Sequence, residues 1–277
     1  MTTLALSTGS LHSYGIARVF ALAAETGFDA VEVLADARWD TRQAGYLRRL
    51  GAEHNLPIAA IHSPFVTLHT PGWPADPLGR LRETTALAQA VGAPVVVTHL
   101  PMRFGIARVE VMGGRSLLLP LPFARRGEYH RFLQGELPAF EAEHGILVGV
   151  ENMPIHRLLG LRVQIYTMDN ESLAHLPHLT LDTTHLGTWG ADVLAMYERL
   201  RERIVHLHLS NFDGREHRLP PDGRLPLGEL LRRLARDGYR GAVSVETGPD
   251  ALGAEDEAQV QDRLRRVVAF CREHLAS

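Results

Sequence analysis

The chain has no lysine: all 29 basic residues among its 277 are arginine. A lysine Schiff base, a pyridoxal-phosphate anchor and a P-loop lysine are therefore excluded. With one cysteine, Cys271, no internal disulfide and no multi-cysteine zinc or iron–sulfur site can form. Cys271 ends the apolar stretch Val267-Val268-Ala269-Phe270-Cys271 and is expected as a buried helix residue, not a nucleophile. No apolar run approaches the roughly 18 residues needed to span a membrane. Met1-Thr2-Thr3-Leu4-Ala5-Leu6 lacks the basic start and cleavage pattern of a signal peptide, so a cytoplasmic location is expected. The formal net charge of −3 supplies no bulk positive field for nucleic acid, although a local patch stays open. No G-x-G-x-x-G follows the first strand candidate, which weighs against a dinucleotide-binding fold.

What is present is a repeating pattern. Apolar residues make up 45% and charged residues 22%, which excludes a disordered or fibrous chain. Eight short runs rich in Val, Ile and Leu alternate with helical stretches: 4–7, 30–34, 58–62, 95–99, 147–151, 179–182, 205–209 and 243–246. Helix punctuation agrees with them. Asp76-Pro77 is an N-cap followed by Pro at the first helical position, and Gly92 ends that helix. Leu227, Leu230, Leu231 and Leu234 line one helix, and Val260, Leu264, Val267, Val268 and Cys271 line the last. Eight βα units predict an α/β protein with a single-domain (β/α)₈ TIM barrel over residues 1–277. The longest irregular stretch, about 101–127, follows the fourth strand and is expected over the catalytic face as a lid or specificity loop.

Polar residues gather where the strands stop. His62, His99, Glu151, Asp182, His208 and Glu246 each fall at or near the last strand position. Two residues earlier stand Ala60, Val97, Gly149, Thr180, His206 and Ser244, mostly small, as a filled barrel interior favours. The six polar residues are therefore expected to point into the barrel mouth in one register. Three carboxylates converging there need a cation, or one must stay protonated. Glu151, Asp182, His208 and Glu246 form a mixed oxygen–nitrogen ligand set suited to one divalent ion, Mn²⁺, Zn²⁺, Co²⁺ or Mg²⁺. His185, three residues after Asp182, and His217, nine after His208, are candidates for substrate or a second metal. His206 points inward one layer deeper and is expected to make a structural hydrogen bond.

Val150-Glu151-Asn152, Leu181-Asp182-Thr183-Thr184-His185, His206-Leu207-His208-Leu209-Ser210-Asn211 and Val245-Glu246-Thr247 resemble the last four strands of the xylose-isomerase-like barrel superfamily. The segment His217-Arg218-Leu219-Pro220-Pro221-Asp222-Gly223 resembles the loop after strand seven in its sugar isomerase/epimerase branch. That resemblance implies an enzyme of carbohydrate metabolism that isomerises or epimerises a small sugar-like polyol through an enediolate, with one divalent metal on Glu151, Asp182, His208 and Glu246. Glu151 and Glu246 would exchange the carbon-bound proton. His62, His99, His185, His217 and Arg215 would contact substrate, with Phe65 and Trp189 as apolar walls. Arg157, Arg103 and Arg115 are further candidates for a phosphate or carboxylate on the substrate.

The endonuclease IV-like branch is the alternative: a zinc phosphodiester hydrolase acting on abasic DNA. Its two or three Zn²⁺ would fall to His62, His99, Glu151, Asp182, His185, His208, His217 and Glu246, with Phe65-Val66 where those nucleases wedge into DNA. The pattern departs at Arg215, which stands where a zinc-ligating aspartate belongs. A second alternative is a non-catalytic binding barrel. Homo-oligomers are common among similar proteins, and no interface is legible in this chain.

Overall fold

The computed structural model describes residues 2–65, 67–103, 105–111, 115–121, 127–158, 161–167 and 170–276, with residues 105–111, 115–121, 157–158 and 170–172 described by backbone alone. Eight parallel strands of the described residues close into a barrel. They are β1 (Thr3–Ser7), β2 (Ala30–Leu34), β3 (Ile58–His62), β4 (Val95–His99), β5 (Leu147–Glu151), β6 (Leu179–Asp182), β7 (Ile204–Leu209) and β8 (Ala242–Val245). Around the barrel each strand pairs with its sequence neighbours, and β1 closes the ring against β8. Helices flank it: α1 (Ile16–Thr26), α2 (Ala44–His54), α3 (Pro77–Val91), α4 (Leu137–His144), α5 (Asn170–His175), α6 (Val193–Leu200), α7 (Leu227–Arg236) and α8 (Glu257–Leu275). The (β/α)₈ expectation holds, and the expected strand bounds hold to within a residue. Glu246 sits one position beyond β8.

Local chemistry accounts for the helix ends. Asp76 Oδ1 accepts from Gly79 N at 2.7 Å at the start of α3, and Gly92 ends the helix at φ 77°. Along α7, Leu227, Leu230, Leu231 and Leu234 are all buried against the barrel. In α8 Val260, Leu264, Val267 and Cys271 are fully buried, whereas Val268 is half-buried at the edge of that stripe. Burial pushes the Cys271 thiol up to about 12, which keeps it protonated and inert.

Register places the polar residues. Cα pairing sets His62 beside Val97, His99 beside Glu151, and Asp182 beside His208. Below them the interior narrows. An added Cβ at Gly149 would lie 2.3 Å from Thr180 Oγ1, so only glycine lets β5 and β6 approach this closely under the mouth.

The stretch after β4 is a correction. It holds an antiparallel pair, Gly105–Val111 with Arg115–Leu121, where an irregular loop was expected. Alternating Ile106, Arg108, Val109, Glu110 and Val111 before Gly113-Gly114 is a hairpin pattern that the flanking prolines obscured. A second short pair, His156–Leu158 with Leu161–Val163, follows β5. The two loops are tied: Met102 bridges Tyr166, Arg103 N donates to Ile165 O at 2.7 Å, and Thr167 N donates to Pro101 O at 2.8 Å.

Gly149→Ala is expected to destabilise the fold by roughly 1–3 kcal/mol through overpacking against Thr180. Chemical denaturation measures this; an unchanged midpoint would mean that β5 and β6 part freely.

Candidate metal centre

The ends of β3 to β8 deliver one connected cluster. His62, His99, Glu151, Asp182 and His208 are each at most 5% exposed, and the Glu246 side chain is 13% exposed. His208 stands at its centre. Its Nδ1 lies 3.0 Å from Glu151 Oε1, 2.9 Å from Glu246 Oε2 and 3.7 Å from Asp182 Oδ2. Glu151, Asp182, His208 and Glu246 each offer a ligand atom, and all of these atoms lie within 4.8 Å of one another.

Asp182 divides its two oxygens. Oδ1 accepts from His185 N at 2.7 Å and so caps the short helix Thr183–Trp189. Oδ2 is buried and has no hydrogen-bond partner. A buried carboxylate oxygen with no hydrogen-bond donor is costly, so this donor set fits a cation. Asn152 fixes the strand ends beside it: its Oδ1 accepts from Asp182 N at 2.7 Å, and its Nδ2 donates to Asp182 O at 3.0 Å.

A second group adjoins the first. His62 Nε2 lies 3.6 Å and His99 Nε2 3.3 Å from Glu151 Oε2, and the three side chains offer ligand atoms within 4.8 Å of one another. His62 Nδ1 donates to Ser63 O at 2.8 Å, which leaves Nε2 turned to the cluster. His99 Nε2 has no hydrogen-bond partner. Phe65 stacks on His99 with ring centroids 4.6 Å apart.

His185 Nδ1 donates to Asn152 O at 2.7 Å, and its ring meets His217 edge-on at 5.7 Å. His217 adopts φ 55°, a left-handed backbone uncommon outside glycine. It is held there because its N–H donates to Thr184 Oγ1 at 3.1 Å and its carbonyl accepts from Gly248 N at 2.7 Å. Such strain concentrates at binding sites.

Three expected contacts fall outside the cluster. Arg215 is exposed at 69% of its side chain and lies 3.6 Å from Asp213 Oδ2. Arg103 donates to Tyr166 O and to Gln164 Oε1. The Trp189 indole N–H donates to Met153 O at 2.9 Å, a structural bond. Arg115 and Arg157 are described by backbone alone, and Val66 lies outside the described residues.

Glu32, inside β2, was not anticipated. It is fully buried and accepts from His206 Nε2 at 2.5 Å, His208 Nε2 at 3.0 Å and Ser7 Oγ at 2.9 Å. The sequence signal was a lone acid inside the apolar run Ala30-Val31-Glu32-Val33-Leu34. The bond to His206 is the structural hydrogen bond expected of that histidine.

The electrostatics follow from proximity. Burial opposes charge on every member, but His208 holds Glu151 and Glu32 well below the usual carboxylate range. The same imidazole, against burial, brings Glu246 down to about 2. In return Glu246, Glu32 and Glu151 outweigh burial and hold His208 protonated well above its ordinary range. Burial keeps His206 and His99 neutral.

Beside Glu246 and His217 opens a cleft of about 810 Å³. Leu34, Ala37, Phe65, Leu68 and Pro249 give it a largely apolar wall. Arg38 at its rim pairs with Asp36 Oδ2 at 2.8 Å.

Residues 20–269 match the model of the family described as xylose isomerase-like TIM barrel. The chain belongs to this family. A relative described as an uncharacterized protein of Mycobacterium tuberculosis is 25% identical over 98% of this chain and 96% of its own length. A fructoselysine 3-epimerase of Escherichia coli O157:H7 is 36% identical over 20% of each chain. Among solved structures of this fold, an L-ribulose 3-epimerase superposes with a TM-score of 0.67 at 18% identity, over all of this chain and 95% of the other. The E. coli 3-keto-D-glucoside 4-epimerase gives 0.66 at 16% identity over 99% and 100%. An AP endonuclease, family 2, from Brucella melitensis gives 0.64 at 20% identity over 90% and 94%. At these identities the structural likenesses establish the fold.

In chelator-treated protein, stability should fall as pH drops from about 5 to about 2. A carboxylate depressed in the folded state stabilises the fold above its unfolded value, and that contribution is lost as pH falls through the folded value. Denaturant midpoints across this window check it; a flat profile would show that the carboxylates titrate normally.

Proposed function

We propose that the protein is a divalent-metal-dependent isomerase or epimerase of a small sugar-like polyol, acting through an enediolate. The observation that carries this reading is the Glu151–Asp182–His208–Glu246 quartet with the orphaned Asp182 Oδ2 at its edge. These four side chains would hold one Mn²⁺, Zn²⁺, Co²⁺ or Mg²⁺. When bound, the ion supplies positive charge beside the oxygens on which the enediolate's negative charge develops.

The chain's own groups supply the rest. Glu151 and Glu246 reach the cluster from strand ends three places apart in the barrel. One takes the carbon-bound proton, and the other, in its protonated form, returns a proton on another face. Both carboxylates are ionised at neutral pH, so either can act as the base, and its partner must take up a proton before it can return one. His62 and His185 each have Nδ1 engaged by a backbone carbonyl, so their Nε2 atoms are the ones open to substrate hydroxyls. His99 and His217 extend that polar rim. Phe65 offers its face where a sugar's C–H surface would lie. The names of the sugar epimerases that share this fold support the substrate class.

One observation favours a second reading, hydrolysis of a phosphodiester in abasic DNA. His62, His99 and Glu151 form the additional ligand group expected of a multi-zinc centre. Against it, Arg215 occupies the position of a third-zinc ligand and points to solvent.

Protein purified without chelator or histidine tag should carry roughly one divalent ion per chain, lost on Glu151→Ala. Two or three zinc ions, with incision of an abasic-site duplex, would put the hydrolase first. Glu246→Gln is expected to lower the rate of deuterium exchange from D₂O into a substrate carbon by roughly 10²–10⁴-fold. A rate within a few-fold of wild type would remove Glu246 from the proton transfer.

A further inference from the structure

His208 has two ring nitrogens with opposite surroundings. Nδ1 faces Glu151, Glu246 and Asp182, the carboxylates of the quartet. Nε2 faces away from them, toward Glu32 Oε2 at 3.0 Å. Glu32 Oε2 also accepts from His206 Nε2, and Oε1 accepts from Ser7 Oγ. Three donors therefore converge on two oxygens. That arrangement suits a carboxylate and requires a hydrogen on Nε2 of both imidazoles.

We infer that Glu32 is a positioning residue for the metal. By accepting the Nε2 hydrogen of His208, it assigns Nδ1 as the nitrogen that gives up its proton to a metal, and it aims that nitrogen into the space between Glu151, Asp182 and Glu246. A neutral imidazole has one N–H, and whichever nitrogen carries it cannot bind a metal. The acceptor at the far nitrogen decides which one that is. Glu32 also adds negative charge behind the ring, which makes Nδ1 a stronger donor. Barrel geometry keeps the device rigid, because Glu32 leaves the middle of a five-residue strand whose residues are all buried. Glu32, His206 and His208 also have ligand atoms within 4.8 Å of one another. Metal binding there would require displacing the three donors that already engage Glu32, so positioning is the role the contacts support.

This inference rests on the quartet as a metal site and is independent of the sugar chemistry. The wild-type protein, labelled with ¹⁵N-histidine and loaded with ¹¹³Cd²⁺, should show one-bond cadmium–nitrogen coupling at His208 Nδ1 and a retained hydrogen at Nε2. Coupling at Nε2, or none at His208, would overturn the assignment. Glu32→Leu removes the acceptor and leaves the hydrogen of His208 free to sit on either ring nitrogen. Its affinity for Co²⁺, read by chelator competition, should fall roughly 10–100-fold, with an altered Co²⁺ absorption spectrum. A variant that folds with wild-type Co²⁺ affinity sinks the role of Glu32 while leaving the metal site standing. A wild-type protein that binds neither ion removes the metal site and this inference together. If the variant does not fold, the wild-type cadmium measurement decides.

Discussion

Four carboxylates, those of Glu32, Glu151, Asp182 and Glu246, surround the single imidazole of His208 in the mouth of a closed barrel. Two like charges about 4 Å apart at an effective dielectric near 20 repel by roughly 4 kcal/mol. A mouth built this way is tolerable only around positive charge. The protein supplies some of that charge from His208, whose imidazole is held protonated by its neighbours. The geometry of the other side chains follows from the same requirement. Nδ1 and Nε2 of His208 are each met by acid, Glu151 is ringed by His62, His99 and His185, and Asp182 keeps one oxygen unspent.

The barrel makes such crowding possible because it fixes the backbone before the side chains meet. Parallel pairing levels His99 with Glu151 and Asp182 with His208, and Asn152 locks the ends of β5 and β6 together. The flanking helices bury Leu and Val stripes in one cluster with Val, Ile and Leu residues of the strands. The core is therefore gathered between the strands and the helices, while the strand ends are left free to carry repulsive charge. The left-handed backbone at His217 belongs to the same division: the rim holds strain that the scaffold sustains.

Much of this was legible in the sequence because a βα barrel writes its site in a fixed place. The last residue of each strand reaches the mouth, so His62, His99, Glu151 and Asp182 could be picked out by position, with His208 one residue before and Glu246 one residue after a strand end. Glu32 escaped because it lies two residues before the end of β2, level with Ala60 and beneath the rim. It matters through the ring of His208, which reaches down to it, and strand-end counting does not see a ring's second nitrogen. The hairpin after β4 escaped for a different reason. Its alternation was present, but Pro120 and Pro122 and the glycine pair were read as loop chemistry. Arg215 was expected at the site from its residue type, yet the turn it sits in carries it to solvent beside Asp213.

The two oxygens of Asp182 have separable duties, one capping a helix and one aimed at the cluster. An amide in its place could keep the cap through its own oxygen while giving up the anionic donor. Gene duplication therefore has an easy path here: a single Asp-to-Asn change can silence the centre while sparing the architecture. A descendant that had become a scaffold or a sensor would carry that mark at this position long before the rest of the barrel mouth decayed.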